Sequence, residues 1–250
     1  MERFEGFPPR GLRFLRDLAK HNERAWFIER KHIYEEDLLL PMQRLVVELS
    51  ERFARKRIPV LGDVRRSIFR IYRDVRFSHD KLPYKTHMAA YLSPDGGRHT
   101  PGGLYIHVTP SEPFLSLAFY DLHPMLVNRW RTSMAQEPKK FAAVIRALGR
   151  SKMRLIPPDE EEDALQRMPR GFTHLTKAPL GPYFRLRHFL VHEDLDTAAL
   201  FSRRLVERCV RFIERGLPLL RFGWGLAAEV SEFIGDTLEI GSRVDGDVEN

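Results

Sequence analysis

Cysteine is nearly missing from this chain: Cys209 is the only one among 250 residues. A lone thiol closes no disulfide within the chain, which excludes a disulfide-built scaffold. Long apolar runs are missing too, the best candidates being interrupted by Pro41 or by charges. No segment approaches the ~20 apolar residues that span a bilayer, so a membrane-spanning role is excluded. The opening Met1-Glu2-Arg3-Phe4-Glu5 lacks the basic-then-apolar order of a secretory signal, and the expectation is a reducing, cytoplasmic setting. Also absent are the Gly-x-x-x-x-Gly-Lys-Ser/Thr phosphate loop, the Gly-x-Gly-x-x-Gly dinucleotide turn and the Gly-x-Ser-x-Gly nucleophile elbow. His-Glu-x-x-His and Cys-x-x-Cys spacings are absent as well, so no metal and no cofactor is assigned to the scattered histidines, His79, His87 and His107 among them.

What is present describes a packed globule. With 43% hydrophobic residues and 17 Phe, 7 Tyr and 3 Trp, the chain has enough apolar bulk for one or two cores and is not disordered. Its net charge is +7, unevenly placed. Between Arg65 and His87 seven cations (Arg65, Arg66, Arg70, Arg73, Arg76, Lys81, Lys85) face two anions (Asp74, Asp80). That block holds five of the seven net positive charges, so the basicity marks one site or one ion-pair network rather than a broad phosphate-tracking surface.

Periodicity predicts a short helix carrying Leu12, Phe14, Leu15 and Leu18, then a helix over about 23–39 with Asn22 as N-cap, then a second started by Pro41 and running to about Lys56. From Ser67 the period changes to two, which puts Phe69, Ile71, Val75 and Phe77 on one face of a strand and Arg70, Tyr72, Asp74 and Arg76 on the other. Further strands are predicted over 86–92, 103–109, 114–120 and 183–191, with short turns that favour an antiparallel meander. Leu104, Ile106 and Val108 then face the core, and Tyr105, His107 and Thr109 the other way. Proline-started helices follow over 124–134 and 138–148, and Asp196 caps a helix that Gly216 and Pro218 end. A short helix near 227–233 and a polar tail over 241–250 complete the chain. The acidic run Asp159–Asp163 reads as a solvated helix start. The expected architecture is α+β: a single domain over 1–240, with an antiparallel sheet of about five strands and helices packed on one face.

Residues 70–85 read Arg70-x-x-Arg73-Asp74-x-Arg76-Phe77 followed by Asp80-Lys81-x-x-Tyr84-Lys85. This stretch resembles the defining motif of a bacterial family, domain of unknown function 2461. The likeness extends to Phe4-x-Gly6-Phe7-Pro8, Arg24-x-Trp26-Phe27 and Tyr105-x-His107. The resemblance implies no activity, because the family has none assigned. It also implies a glycine-rich stretch after Tyr105-x-His107, where this chain reads Ser111-Glu112-Pro113-Phe114, pointing to a narrower site or a different ligand.

Two cations about 6 Å apart repel by roughly 3 kcal/mol at an effective dielectric of about 20, so gathered arginines need carboxylates or a bound anion. Two readings follow. In one, Arg70, Arg76 and Lys85 clamp a small phosphate- or carboxylate-bearing ligand, and Arg73 and Asp80 complete the binding set. Asp74 or His107 moves a proton there, and Lys81 and Tyr84 close the site. In the other, Arg73 is an internal ion-pair partner of Glu48 or Glu51 and the block is architecture. Nucleic acid is the alternative partner, with Arg65, Arg66, Arg70 and Arg76 on phosphates and Tyr72 or Tyr105 stacking on bases. An interaction module is the third reading. Cys209, among Leu205, Phe212 and Ile213, reads as a buried inert thiol, and Trp26 and Phe27 as core.

Overall fold

The computed structural model describes residues 2–76 and 79–244, the stretch 233–244 by its backbone alone. Phe77 and 245–250, each given a role by sequence pattern, lie outside the described residues. The architecture is α+β, with one antiparallel sheet of four strands in the order β1 (Met88–Leu92), β2 (Gly103–Val108), β3 (Phe114–Phe119), β4 (Phe189–Asp194). The chain divides into two compact units, one of 1–118 with 191–215 and one of 119–190 with 216–250. Among the described residues no helix is long and apolar enough to cross a membrane.

In the first unit, α1 (Pro9–Leu18) buries Leu12, Phe14, Leu15 and Leu18, the stripe its 3.6-residue period requires. Helix α2 (Arg24–Tyr34) leads through one π-helical turn, Glu35–Leu39, straight into α3 (Leu40–Arg55). The widened turn is how the chain passes Pro41 without a break: the Leu40 N–H reaches back to the Glu35 carbonyl, and Pro41, which has no N–H, falls in the first turn of α3. Asn22 is not the cap of α2; that position is Glu23, and the Asn22 side chain goes elsewhere, as described below. Helix α3 lies against β1.

The sheet is regular where alternation is clean. In β2, Leu104, Ile106 and Val108 are wholly buried on one face, and Tyr105 and His107 stand half-buried on the other. Gly103 starts β2 against β1 so closely that a Cβ there would sit 2.2 Å from the Leu92 carbonyl oxygen. Among the described residues the predicted strand from Ser67 does not form. Its pairing with β1 and the segment before it reduces to two isolated bridges, Ile68↔Ala90 within β1 and Tyr72↔Tyr84 ahead of it. Four residues separate the bridges on one side and six on the other, so the register slips by two, as at a bulge. The chain also bends at Ile71, so Ile68 and Ile71 are the buried pair, three apart, and Phe69 turns to the open face instead of the core. The last predicted strand shifts likewise: 181–185 is a 3-10 turn, Gly181–Arg185, and the strand is β4.

The second unit contains α4 (Pro124–Gln136) and α5 (Pro138–Arg150), both opened by proline as expected. Trp130 is its centre, stacked on Phe189 at 3.8 Å and met edge-on by Phe119, Phe141 and Phe222. Asp196 caps a helix as predicted, but only the one-turn α6 (Thr197–Leu200); the predicted helix breaks at 201–203, and α7 runs from Arg204 to Val244, taking in the separate helix expected near 227–233. Gly216 and Pro218 do not end it. An internal proline costs about 3 kcal/mol, but the turns beyond it bury Leu219 and Leu220 completely and put Phe222 on Trp130. Gly223 suits this packing, since a Cβ there would lie 2.2 Å from the Phe119 ring.

The acidic run is not a solvated helix start. Pro158–Glu160 is a single 3-10 turn, and the Glu161 side chain is 7% exposed. One of its oxygens accepts the His188 backbone N–H at 3.2 Å; the other, Oε2, is buried without a partner. Burial therefore pushes the Glu161 carboxyl up to about 7, with Asp163 adding repulsion.

Two outcomes follow for stability. Asn22→Ala removes two hydrogen bonds to buried backbone and is expected to cost about 2–3 kcal/mol in denaturant titration; unchanged stability refutes the role given to Asn22. For Glu161 the carboxyl is raised in the folded state, so its stabilisation is complete below the ordinary value of 4.5 and lost as pH rises through about 7. Glu161→Gln is then expected to stabilise by about 1–2 kcal/mol at alkaline pH, with the gain gone at acid pH. A pH-independent effect contradicts the burial argument.

Candidate functional site

The open face of the sheet in the first unit is built by register. His107 on β2 lies opposite Ala89 on β1 and Phe114 on β3, so a small side chain flanks it on one side and a ring on the other. His87, Phe114 and His192 complete a row across the strands, with ring centroids 4.4, 4.6 and 4.4 Å apart from His87 through His107 and Phe114 to His192. Tyr105 stands beside the row, its hydroxyl 3.1 Å from His107 Nδ1. That bond runs from the phenol to the imidazole when His107 carries its proton on Nε2. A depression of about 480 Å³ opens at the His192 end, bordered by His107, Thr109, Phe114 and Asp194.

Cations gather at the other end. Phe69 meets Tyr105 edge-on at 6.0 Å, and over Phe69 stand the Lys85 ammonium at 5.3 Å and the Arg98 guanidinium at 5.4 Å. Burial lowers the Lys85 pKa from its ordinary value, and Arg70, Arg98 and Arg73 lower it further. Among the described residues Lys85, Arg70 and Arg98 form no ion pair; Arg98 donates only to the Ile68 carbonyl, at 3.4 Å. His107 is held down at about 4 by burial first and by His87 and His192 second, and burial with Lys85 lowers His87 as well. Both imidazoles are neutral at pH 7, so His107, packed between His87 and Phe114, offers one N–H rather than a ready base. Burial pushes Tyr105 up to about 12.

The residues singled out by sequence fall into separate groups. Lys85 and His107 stand on the open face, and Arg70 is close enough to act electrostatically on both Lys85 and Asp74. Asp74 pairs with Arg76 in an exposed loop, through bonds of 3.0 and 2.7 Å, and the guanidinium holds its carboxyl at about 2. Arg73 is bonded to Asp80, not to Glu48 or Glu51. The Glu48 carboxylate instead accepts the Phe4 N–H at 3.1 Å and Arg203 at 2.8 Å. Lys81 donates to the Val75 carbonyl at 3.0 Å. Tyr84 is buried, stacked on Phe27 at 4.1 Å. Its own N–H and carbonyl point away from Tyr72, and the Asn22 side-chain amide takes both, at 3.0 and 2.9 Å. Cys209 is buried and its thiol is pushed up, as expected of an inert side chain.

Sequence reasoning missed Phe69, Arg98, Phe114 and His192 as members of this face. Arg98 and His192 carry no motif. Phe69 was assigned to the core by an alternation that the bend at Ile71 breaks. His188 and His192 are spaced His-x-x-x-His, but along extended chain rather than a helix, His188 just before β4 and His192 within it. His192 joins the row through Phe114, whereas His188 in the second unit accepts the Asp121 N–H and stacks on Tyr120. Among the described residues no group of three or more His, Cys, Asp or Glu side chains is arranged to hold a metal ion.

No curated protein and no solved structure matches the chain. Residues 10–222, which contain every residue of the open face, match the family described as conserved hypothetical protein (DUF2461), and the chain belongs to that family.

Proposed function

We propose that the protein binds, on the open face of its sheet, a small ligand that joins an anionic group to a planar ring. The observation that carries this is the half-buried Lys85 ammonium beside Arg70 and Arg98, with no ion pair to any of the three among the described residues. A like-charge group held at a partly desolvated position raises the energy of the free protein and is relieved when an anion arrives. Phosphate and carboxylate fit, because the guanidinium groups supply paired planar donors and Lys85 a point charge. The ligand ring would lie against the row His87–His107–Phe114, whose neutral rings pack on one another at 4.4 and 4.6 Å. The neighbouring depression of about 480 Å³ is of the size that takes a metabolite-sized molecule.

The same row favours a second reading, single-stranded nucleic acid, whose bases stack on aromatic platforms beside basic tracks. The small ligand is preferred because the cations of the block do not line up as a track: Arg73 and Arg76 are bound to Asp80 and Asp74, Arg66 and Lys81 to the Asp95 and Val75 carbonyls, and Lys85 is grouped instead with Arg70 and with Arg98 from outside the block.

Thermal unfolding against inorganic phosphate, adenosine and uridine monophosphates and a short oligothymidylate tests both. A nucleoside monophosphate is expected to raise the midpoint more than phosphate does, and His107→Ala to remove the difference. Lys85→Met is expected to raise the midpoint of the free protein by about 2–4 °C and abolish stabilisation by the ligand. Midpoints that fall in Lys85→Met, or that no compound moves in wild type, refute the proposal. Stabilisation by the oligonucleotide alone, erased by salt, supports the second reading. An anion seated near His107 raises its pKa from about 4 toward the ordinary 6.5, so affinity is expected to grow as pH falls through that interval. In His107→Phe that growth should disappear.

A further inference from the structure

The ribbon of residues 72–84 carries a second cavity, on the side turned toward α2. There Tyr84 lies parallel to Phe27, with centroids 4.1 Å apart, and Tyr72 meets the same ring edge-on at 5.9 Å. Together with Arg24, Ile28, Lys31 and Arg73 these rings border a depression of about 470 Å³. Its volume lies in the range of small-molecule sites, and its walls are mainly apolar, as such sites are. Ile28, 57% exposed, and Tyr72, 46% exposed, leave a large apolar surface open at its mouth.

Two independent features separate this cavity from a packing gap. Tyr84 is 4% exposed, yet among the described residues its hydroxyl has no hydrogen-bond partner. The ring is buried but its oxygen is not among the polar atoms sealed from solvent, so the hydroxyl reaches the cavity it borders and is open to a ligand there. Burial raises its pKa, so at neutral pH it is an O–H ready to donate. The rim charges are also unequal. Lys31 is paired with Glu35 at 2.7 Å and Arg73 with Asp80, whereas Arg24 forms no ion pair among the described residues. Arg24 is close enough to act electrostatically on the Tyr84 phenol. One unpaired cation and one unpaired donor over an aromatic floor fit a single negative charge carried beside a ring.

We propose that this cavity binds a small aromatic monocarboxylate, its ring against Phe27, Tyr72 and Ile28 and its carboxylate on the Arg24 guanidinium and the Tyr84 hydroxyl. The site is separate from the open face of the sheet and does not depend on the ligand proposed there.

Phenylacetate is the probe, titrated into the full chain by calorimetry or amide NMR. Saturable binding with Kd near or below about 1 mM is expected for so small a ligand. Neutral phenylacetamide should bind at least about tenfold more weakly, and Arg24→Gln should lose about tenfold, the share of a charge-assisted hydrogen bond. Tyr84→Phe should lose several-fold while keeping the apolar stack. Lys85→Met, on the opposite face, should bind phenylacetate as wild type does; loss in that variant places the ligand on the sheet and overturns this site. No saturable binding by wild type below about 10 mM overturns it as well. Equal affinity for the amide, or unchanged affinity in folded Arg24→Gln, does the same. Should Tyr84→Phe fail to fold, Arg24→Gln decides, because its side chain is exposed on the first turn of α2.

Discussion

The pair of hydrogen bonds between the Asn22 amide and the Tyr84 backbone stands where a neighbouring strand would otherwise be. At the Tyr72↔Tyr84 bridge the ladder bonds are made by the flanking residues: Arg73 N–H to Pro83 and Lys85 N–H to Ile71. The N–H and carbonyl of Tyr84 therefore point outward, where a regular sheet would continue into the next strand. Strand β2 pairs only from Met88 onward and leaves that edge uncovered. A primary amide has the same donor and acceptor as a peptide group, and Asn22 supplies them from the start of the α2 region. An unpaired buried peptide costs several times the net value of a hydrogen bond, so the segment before β1 is held to the helices by this contact more than by its own pairing.

Fixing that segment decides what the ribbon shows on each side. The slip of two residues keeps the parity of the strand, so Lys85 and His87 remain on the face of Tyr105 and His107, while Tyr84 and Tyr72 turn to Phe27. The basic block is divided at the same point. Arg73 and Arg76 leave toward loop carboxylates, and Asp74 and Asp80 are consumed in neutralising them. With both acids so placed, Lys85, Arg70 and Arg98 are left without a salt bridge. Of the seven cations in that block, Arg73 and Arg76 are thus paired, Arg66 and Lys81 donate to backbone carbonyls, and Lys85 stands over Phe69 without an ion pair among the described residues.

Elements with a simple local cause were legible in the sequence. Proline-started α4 and α5, the Asp196 cap and the alternation of β2 each depend on neighbours a few residues away. The family motif was also legible, because it is a run of adjacent residues. What sequence did not disclose depends on partners far along the chain. The strand predicted from Ser67 fails among the described residues because the opposing segment carries two additional residues, a fact of pairing rather than of its own pattern. Asn22 looked like a helix cap because nothing nearby reports a partner 62 residues on. The Glu48 carboxylate is claimed by Phe4 and Arg203, which no spacing connects, and Glu161 is buried although its neighbours are acidic. Gly216 and Pro218 are sound stop signals locally, overruled by Leu219, Leu220 and Phe222 in the second unit.

The open face separates two tasks that one group performs in many anion sites. Charge sits at the Phe69 end, where Lys85 and Arg98 stand over one ring, and the row of rings sits in the middle, where burial with Lys85 keeps His87 uncharged and burial with His87 and His192 keeps His107 so. Were the imidazoles protonated, they would add to a cluster already short of anions, and the 4.4 Å between their ring centroids would be unfavourable. Their neutrality is a consequence of the cations nearby as well as of burial, since Lys85 acts on His87 and His87 on His107. The chain of influence runs in both directions. An anion on Lys85 weakens the field that suppresses protonation along the row, so the character of the stacking surface is set by what occupies the cationic end.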